Sequence, residues 1–448
     1  MFLFISILSF MKTEKLLFMA VFVAGLSGGN LVMAQSAAYT KQIITVNSGT
    51  YEYAPPFSDF VTIQSYDPLN NTVTPAGTIL TQSAQAMTCA GKTAFIAAGD
   101  SIVKYDLNTM QPVMAVADSG LCQLAVIDGK LVVSKQYPIV NHFVEVRDTA
   151  TLGLIAQVSG ISGDGGGIVE VNDTVYVAVN GGWAGTSGKL AVINPLDWSL
   201  VTEADFGPEA VGISNLYLYA GNVVSVNETP YGVTGTGSIT VYNPETRSYN
   251  NVIVPHTVGA GAGINGGLLY LILDNGIGSI DLNTLTVAGT AIVPDPGSAS
   301  YRYILSAAID TINGRIYANI GDYLTDGHCL VSTLTGDSVT AYSTGISTEV
   351  IAVDYRPIPS AIAEGRQTAG FTLYPNPVSD EVNVVSYTSA PSCRITITDI
   401  AGRTVVSSNV ALQPAVPVTI SCSRLTPGMY YLTTETNGIR AVKAFIKK

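Results

Sequence analysis

The chain has 448 residues, 12% of them charged and 8% aromatic, with 44 glycines and a formal net charge of −12. Soluble proteins average about 25% charged residues. This low charge, with abundant Val, Ile, Thr, Tyr and Gly, argues against disorder and coiled coil and suits a β-rich chain. The acidic balance removes any general attraction to nucleic-acid phosphates or anionic lipid, so no nucleic-acid partner is expected.

Residues 1–34 read as a signal peptide. Met11 offers a second start, followed by the positive Lys12 and Lys15, an apolar run from Leu16 to Leu26, and small residues ending at Ala34 that suit cleavage. No later segment reaches ~18 uninterrupted apolar residues, so no transmembrane segment is expected in the mature chain.

Cys89, Cys122, Cys329, Cys393 and Cys422 have no metal-ligand spacing, and no metal or cofactor is expected. Cys393 with Cys422 and Cys89 with Cys122 are candidate disulfides in an oxidising compartment. Buried free thiols are the equal alternative.

From residue 35 to 358 one pattern recurs: an apolar strand, a short turn, a second strand, then a third ending in an Asp or Asn turn before a fourth. The turn acids and amides are Asp67, Asp106, Asp148, Asn194, Asn243 and Asp281, with a degenerate seventh turn at Thr333. Their spacings are 39, 42, 46, 49, 38 and 52 residues, the period of propeller blades built from four short strands. Each Asp or Asn is expected to accept hydrogen bonds from amides two residues on, closing the outer hairpin of a blade. Six or eight blades remain alternatives to seven. The strand at 348–355 has no blade after it and is expected to supply the innermost strand of the first blade, closing the ring.

The segments "GKLVVS" (129–134), "DTVYVAV" (173–179) and "GRIYANI" (314–320), each followed by a turn such as "KLAVINPL", resemble the seven-bladed propellers of the YncE-like and related surface-layer families. That resemblance implies a fold and leaves activity open, because propellers host many functions.

Residues 359–370 read as a linker. Residues 371–448 carry alternating strands with frequent turn signals, which suits a small Ig-like β-sandwich. The order "YPNPV", "DIAGR" and "LTPGMYYL…KAFIKK" resembles the C-terminal sorting domain, type A, of type IX secretion cargo. On that resemblance Tyr374, Pro375, Asn376, Pro377, Asp399, Gly402, Gly428 and Tyr430 form the sorting signal. It implies periplasmic transit, engagement by the type IX machinery, and release or attachment at the outer surface.

Glycine-rich loops carry Tyr137, Trp183, Tyr231, Tyr301, Tyr303 and Tyr323, which blade order places on one face. Aromatics there offer flat platforms with polar tips for a corrin-like macrocycle or a sugar. No residue is assigned as catalytic: His142, His256 and His328 fall on separate repeats, and no hydrolase or zinc-protease motif is present. Glu170, Glu209, Asp274 and Asp322 are the acids that would have to converge for carboxylate chemistry. The expected function is capture of a corrinoid-like cofactor, a glycan or a protein, beside an outer-membrane transporter in one version. A secreted polysaccharide lyase or lactone-cleaving enzyme and an adhesin or scaffold without small ligand are the alternatives.

Overall fold

The computed structural model describes residues 38–52, 56–182, 185–357, 371–386, 389–400, 402–414, 416–436 and 439–448. The signal peptide and linker expected from the sequence lie outside them. The chain divides into two units, Met1–Pro357 and Ile358–Lys448.

The first unit holds seven four-stranded antiparallel sheets. The second to seventh blades take their strands in chain order from the inside outward, and their inner strands are Ala84–Ala90, Leu121–Ile127, Gly165–Val171, Ile213–Tyr219, Val258–Asn265 and Tyr303–Asp310. The first blade draws Ala38–Asn47, Val61–Asp67 and Thr72–Ile79 from the start of the unit and its innermost strand, Val350–Pro357, from the end. Neighbouring inner strands touch in an unbroken cycle, so the sheets form a seven-bladed ring.

The second strand of each blade explains why these segments are apolar without interruption. In Thr93–Ala98, Phe95 and Ala97 pack against the third blade while Ala94, Ile96 and Ala98 pack against the first. In Thr174–Val179, Val175, Val177 and Val179 face the third blade, and Tyr176 and Ala178 face the fifth. Side chains alternate faces along a strand, so a strand sandwiched between two blades needs both sets apolar. Seven such clusters result, one at each junction between blades. Where the fourth and fifth blades meet near the axis, a Cβ on Gly167 would lie 2.6 Å from the Leu216 nitrogen, so only glycine permits the approach.

The indexed turns behave as the spacing predicts. Asp67, Asp106, Asp148, Asn194, Asn243 and Asp281 each accept a backbone N–H two residues on, at 2.7–3.1 Å. The degenerate seventh turn keeps an acceptor at the indexed position but reaches further: the Thr333 hydroxyl accepts the Asp337 N–H, four residues on, at 3.0 Å.

The ring seam is polar as well as apolar. Gln42 donates to Asp354 at 2.9 Å and accepts from Ser65 at 2.6 Å. Arg356 bonds both oxygens of Asp354 and reaches Asn108 of the second blade at 3.1 Å. Thr40 donates to Asp310 of the seventh blade at 2.8 Å, and Tyr66 stacks on Tyr342 with ring centroids 4.1 Å apart. The third blade buries a second set, in which Lys135 and Arg147 each pair with both Asp118 and Glu145. Burial alone would raise the Glu145 carboxyl, but the Gln157 hydrogen bond and the charges of Lys135 and Arg147 hold it below its ordinary value.

The second unit is a sandwich of a three-stranded sheet (Phe371–Tyr374, Glu381–Ser386, Pro417–Ser421) and a four-stranded one (Thr404–Leu412, Ala390–Asp399, Gly428–Thr436, Ile439–Lys447). Phe371, Val382, Val384, Ile395, Ile397, Leu432 and Phe445 fill its core. Cys393 and Cys422 belong to that core as thiols, and Cys89, Cys122 and Cys329 are also free. Of the two alternatives the sequence left open, the free thiols hold among the described residues, with Cys329, Cys393 and Cys422 buried as small apolar fillers.

Removing one partner of a buried ion pair strands the other charge, at about 3–5 kcal/mol. Asp354→Ala should lower the chemical denaturation midpoint of the propeller by that order of free energy; an unchanged midpoint would remove the seam from the account of stability.

Candidate functional site

Because strands alternate in direction, the loops from second to third strands and from each outer strand to the next inner strand emerge on one face. Tyr137, Tyr231 and Tyr323 stand on loops of the first kind, and Tyr301 and Tyr303 where the seventh blade begins. Trp183 lies outside the described residues.

On this face a cavity of about 710 Å³ opens between the third, fourth and fifth blades, lined by Gln136, Asp164, Asn180, Gly182, Gly185, Val211, Gly212, Ser214, Glu228, Thr229, Pro230 and Tyr231. Short backbone bonds fix its walls. The Asn180 N–H donates to the Asp164 carbonyl at 3.0 Å, the Glu228 N–H to the Gly212 carbonyl at 2.9 Å, and the Thr229 N–H to the Val258 carbonyl at 2.8 Å. Gly212 has φ +83°, and a Cβ there would lie 2.1 Å from the Glu228 carbonyl oxygen. Tyr231 is 89% exposed at the rim.

The electrostatics of this cavity are acidic. Burial raises the Glu228 carboxyl above its ordinary 4.5, opposed by a hydrogen bond from Ser214. Burial, with the charges of Asp164 and Glu228 behind it, pushes the Cys122 thiol up to about 11, against a Ser134 hydrogen bond. Both acids therefore act on the inner strand of the third blade, and Cys122 stays a thiol. None of the lining residues is basic.

A second cavity, of about 420 Å³, lies over the first three blades and includes Tyr51, Phe57, Leu80, Gln85, Gln136 and Tyr137. Tyr301, Tyr303 and Tyr323 line neither cavity; the last two rings lie 6.4 Å apart on the seventh blade. The sequence thus singled out one aromatic of each cavity, Tyr231 and Tyr137. It missed Asp164, Glu228, Ser214, Gln85 and Gln136, whose meeting depends on loops of different blades.

The four acids weighed for carboxylate chemistry do not converge. Asp274 accepts from the Thr257 N–H at 2.8 Å and pairs with His256 at 2.5 Å, bracing one loop. Asp322 accepts the Leu324 and Thr325 N–H groups of its own turn. Glu209 lies in the 3-10 turn Pro208–Ala210. Glu170 sits toward the opposite face, where burial and the charges of Asp128 and Asp173 raise its carboxyl. His328 is held below its ordinary value by burial and by Arg302. Among the described residues no group of His, Cys, Asp and Glu is placed to hold a metal ion.

In the second unit Asn376 and Tyr430 of the expected signal residues meet the last strand, and Asp399 and Gly402 form a turn of their own. The Asn376 side-chain oxygen accepts the Ile446 N–H at 2.9 Å, and Val378 exchanges bonds with Ile446 and Lys448 at 2.7 and 2.9 Å. The bonds preceding Pro375 and Pro377 are cis, and Tyr374 is half-exposed beside them. Asp399 closes its turn through Arg403 at 2.8 Å, with Gly402 at φ +78°. Gly428 opens the strand that carries Tyr430, whose hydroxyl donates to the Thr426 carbonyl at 2.9 Å while its ring stacks on Phe445.

These two units define a secreted β-propeller carrying a sorting module. Residues 372–448 match the secretion system C-terminal sorting domain, so the chain is type IX secretion cargo delivered to the cell surface or extracellular space. Among the described residues no helix is long and apolar enough to cross a membrane. No curated protein sequence matches the chain. Solved structures similar to it include a Bacteroides uniformis protein assigned as a 6-phosphogluconolactonase, at 10% identity over 70% of this chain and 100% of that one, TM-score 0.51. Kuenenia stuttgartiensis hydrazine synthase is similar at 12% identity over 64% of this chain and 92% of that chain, TM-score 0.46. PorZ of Porphyromonas gingivalis, a surface component of the type IX secretion system, is similar at 12% identity over 91% and 58%, TM-score 0.42. At these identities the likeness concerns the fold alone.

Two outcomes are expected. A chain ending at residue 370 should accumulate in the periplasm, as read by cell fractionation. A raised carboxyl costs stability above its folded-state value and nothing below its unfolded one. Glu228→Gln should therefore raise the melting temperature at pH 8 and leave it unchanged at pH 4; equal shifts at both would deny Glu228 its burial.

Proposed function

We propose that this protein is a surface-displayed glycan-binding propeller whose site is the cavity between the third, fourth and fifth blades. The observation that carries this reading is the lining itself. Amide, hydroxyl and carboxylate side chains from Gln136, Asp164, Asn180, Ser214, Glu228 and Thr229 surround a space of about 710 Å³, with Tyr231 at its mouth and Val211 and Pro230 as aliphatic side chains. Cavities of roughly 300–1,000 Å³ suit small ligands. Many fixed hydrogen-bonding groups with one aromatic platform match a hydroxyl-rich ring. A corrin-like macrocycle would call for a broader apolar wall.

The enzymatic alternative is less well supported. A phosphorylated lactone would need cations, and the lining contains no Lys or Arg. Delivery to the outer surface gives such a binder access to extracellular polymer, and an outer-membrane transporter is the partner that would take up what it captures.

The test is calorimetric titration of the secreted protein with neutral oligosaccharides. Ligand at 100 times its dissociation constant stabilises the fold by about 2.7 kcal/mol, visible as a raised melting temperature. Tyr231→Ala should weaken binding roughly two- to tenfold with the unliganded melting temperature unchanged. Failure of every oligosaccharide to bind would end this reading.

A further inference from the structure

The second cavity adjoins the first. It shares Gln136 with the first, and the Gln136 N–H donates to the Gly120 carbonyl at 2.7 Å, so the shared wall is fixed by backbone. The two spaces, about 710 and 420 Å³, each fall in the range that holds a single small ligand. Side by side, they provide for several units in a row.

The chemistry of the second space points to the same class of ligand. The side-chain oxygen of Gln85 is buried without a hydrogen-bond partner, although its amide donates to Ser83 at 2.8 Å. A lone buried acceptor is costly unless a donor reaches it; a turn of the Gln85 side chain, which lines the groove, would bring this oxygen to a sugar hydroxyl. Tyr51 and Tyr137 stand exposed at 74% and 80%, offering ring faces to whatever lies there. Glu52 is held below its ordinary value by Ser58 and Gln82, and Asp100 is the other charge. With Asp164 and Glu228, the joined surface carries four carboxylates and no cation among its lining residues.

Resting on the proposed glycan reading, we infer that the groove over the first three blades is a second subsite of the same site, and that the ligand is an extended oligosaccharide, neutral or amino-bearing. Its chain runs from the cavity at Tyr231, past Gln136, to the aromatic groove at Tyr137. Acidic polysaccharides are disfavoured by the four carboxylates.

The experiment is a length series on the intact secreted protein, using cello-, manno- and chito-oligosaccharides from monomer to hexamer in calorimetric titrations. Affinity should climb by about tenfold or more between dimer and the longest members. Tyr137→Ala and, independently, Gln85→Leu should abolish that gain while leaving monomer and dimer binding as in the parent. Tyr137 is exposed, so its variant folds. Affinity that does not change with length, or a length gain that survives both substitutions, overturns the second subsite while leaving the first intact. An absence of binding at every length instead overturns the glycan reading on which it rests.

Discussion

Seven apolar junctions hold this propeller together, and each exists only because a blade has a neighbour on both sides. One strand pair therefore governs the whole ring: Ala38–Asn47 against Val350–Pro357, with Ile43 opposite Val353 and Ile44 opposite Ala352. Without it the first blade would lack its inner strand and the junction of Tyr66, Tyr317 and Tyr342 would stand open to water. The seam also buries charge, in Asp354, Arg356 and Asp310, as the third blade does in Asp118, Lys135, Glu145 and Arg147. Such groups add directionality that apolar contacts lack, since a strand slipped by one residue would leave each of them unpaired.

The seam also positions the site. With the ring shut, loops from non-adjacent parts of the sequence meet on one face, bringing Asp164 of the fourth blade beside Glu228 of the fifth. Close approach there depends on missing side chains at Gly167 and Gly212. The glycine run 163–167 serves this packing, which accounts for its position at the start of an inner strand.

Much of the fold was legible because its causes are local. An Asx turn is written in four residues, and the Asp or Asn of six turns marked the blades. The closing strand could be recognised because a strand without a following blade is a local oddity. The seventh turn was harder, since Thr333 has a hydroxyl where the others have a carboxylate or amide oxygen and accepts its N–H from four residues on rather than two. The site was read less completely. An exposed tyrosine on a glycine-rich loop is a local signal, and it led to Tyr231 and Tyr137, but equally to Tyr301, Tyr303 and Tyr323, which stand on the seventh blade. Glu228 and Asp164 gain their character from burial shared across blades, and Gln85 from an oxygen left without a donor. Neither property has a signature in sequence. The cysteines illustrate the same limit, since spacing left disulfides and free thiols equally open and all five are free.

The register of the seam places Ala38 directly opposite Pro357, and opposed residues in antiparallel strands have Cα atoms about 5 Å apart. The two ends of the propeller are thus neighbours across a sheet. A short peptide could join them, and the chain could then be reopened at another turn, such as the one at Gly221 on the face away from the cavity. Such a circular permutant would keep every hydrogen bond of the ring while moving the break from the first blade to the fifth. The position of the chain's ends is in this sense a property of the gene, and the ring itself has no preferred beginning.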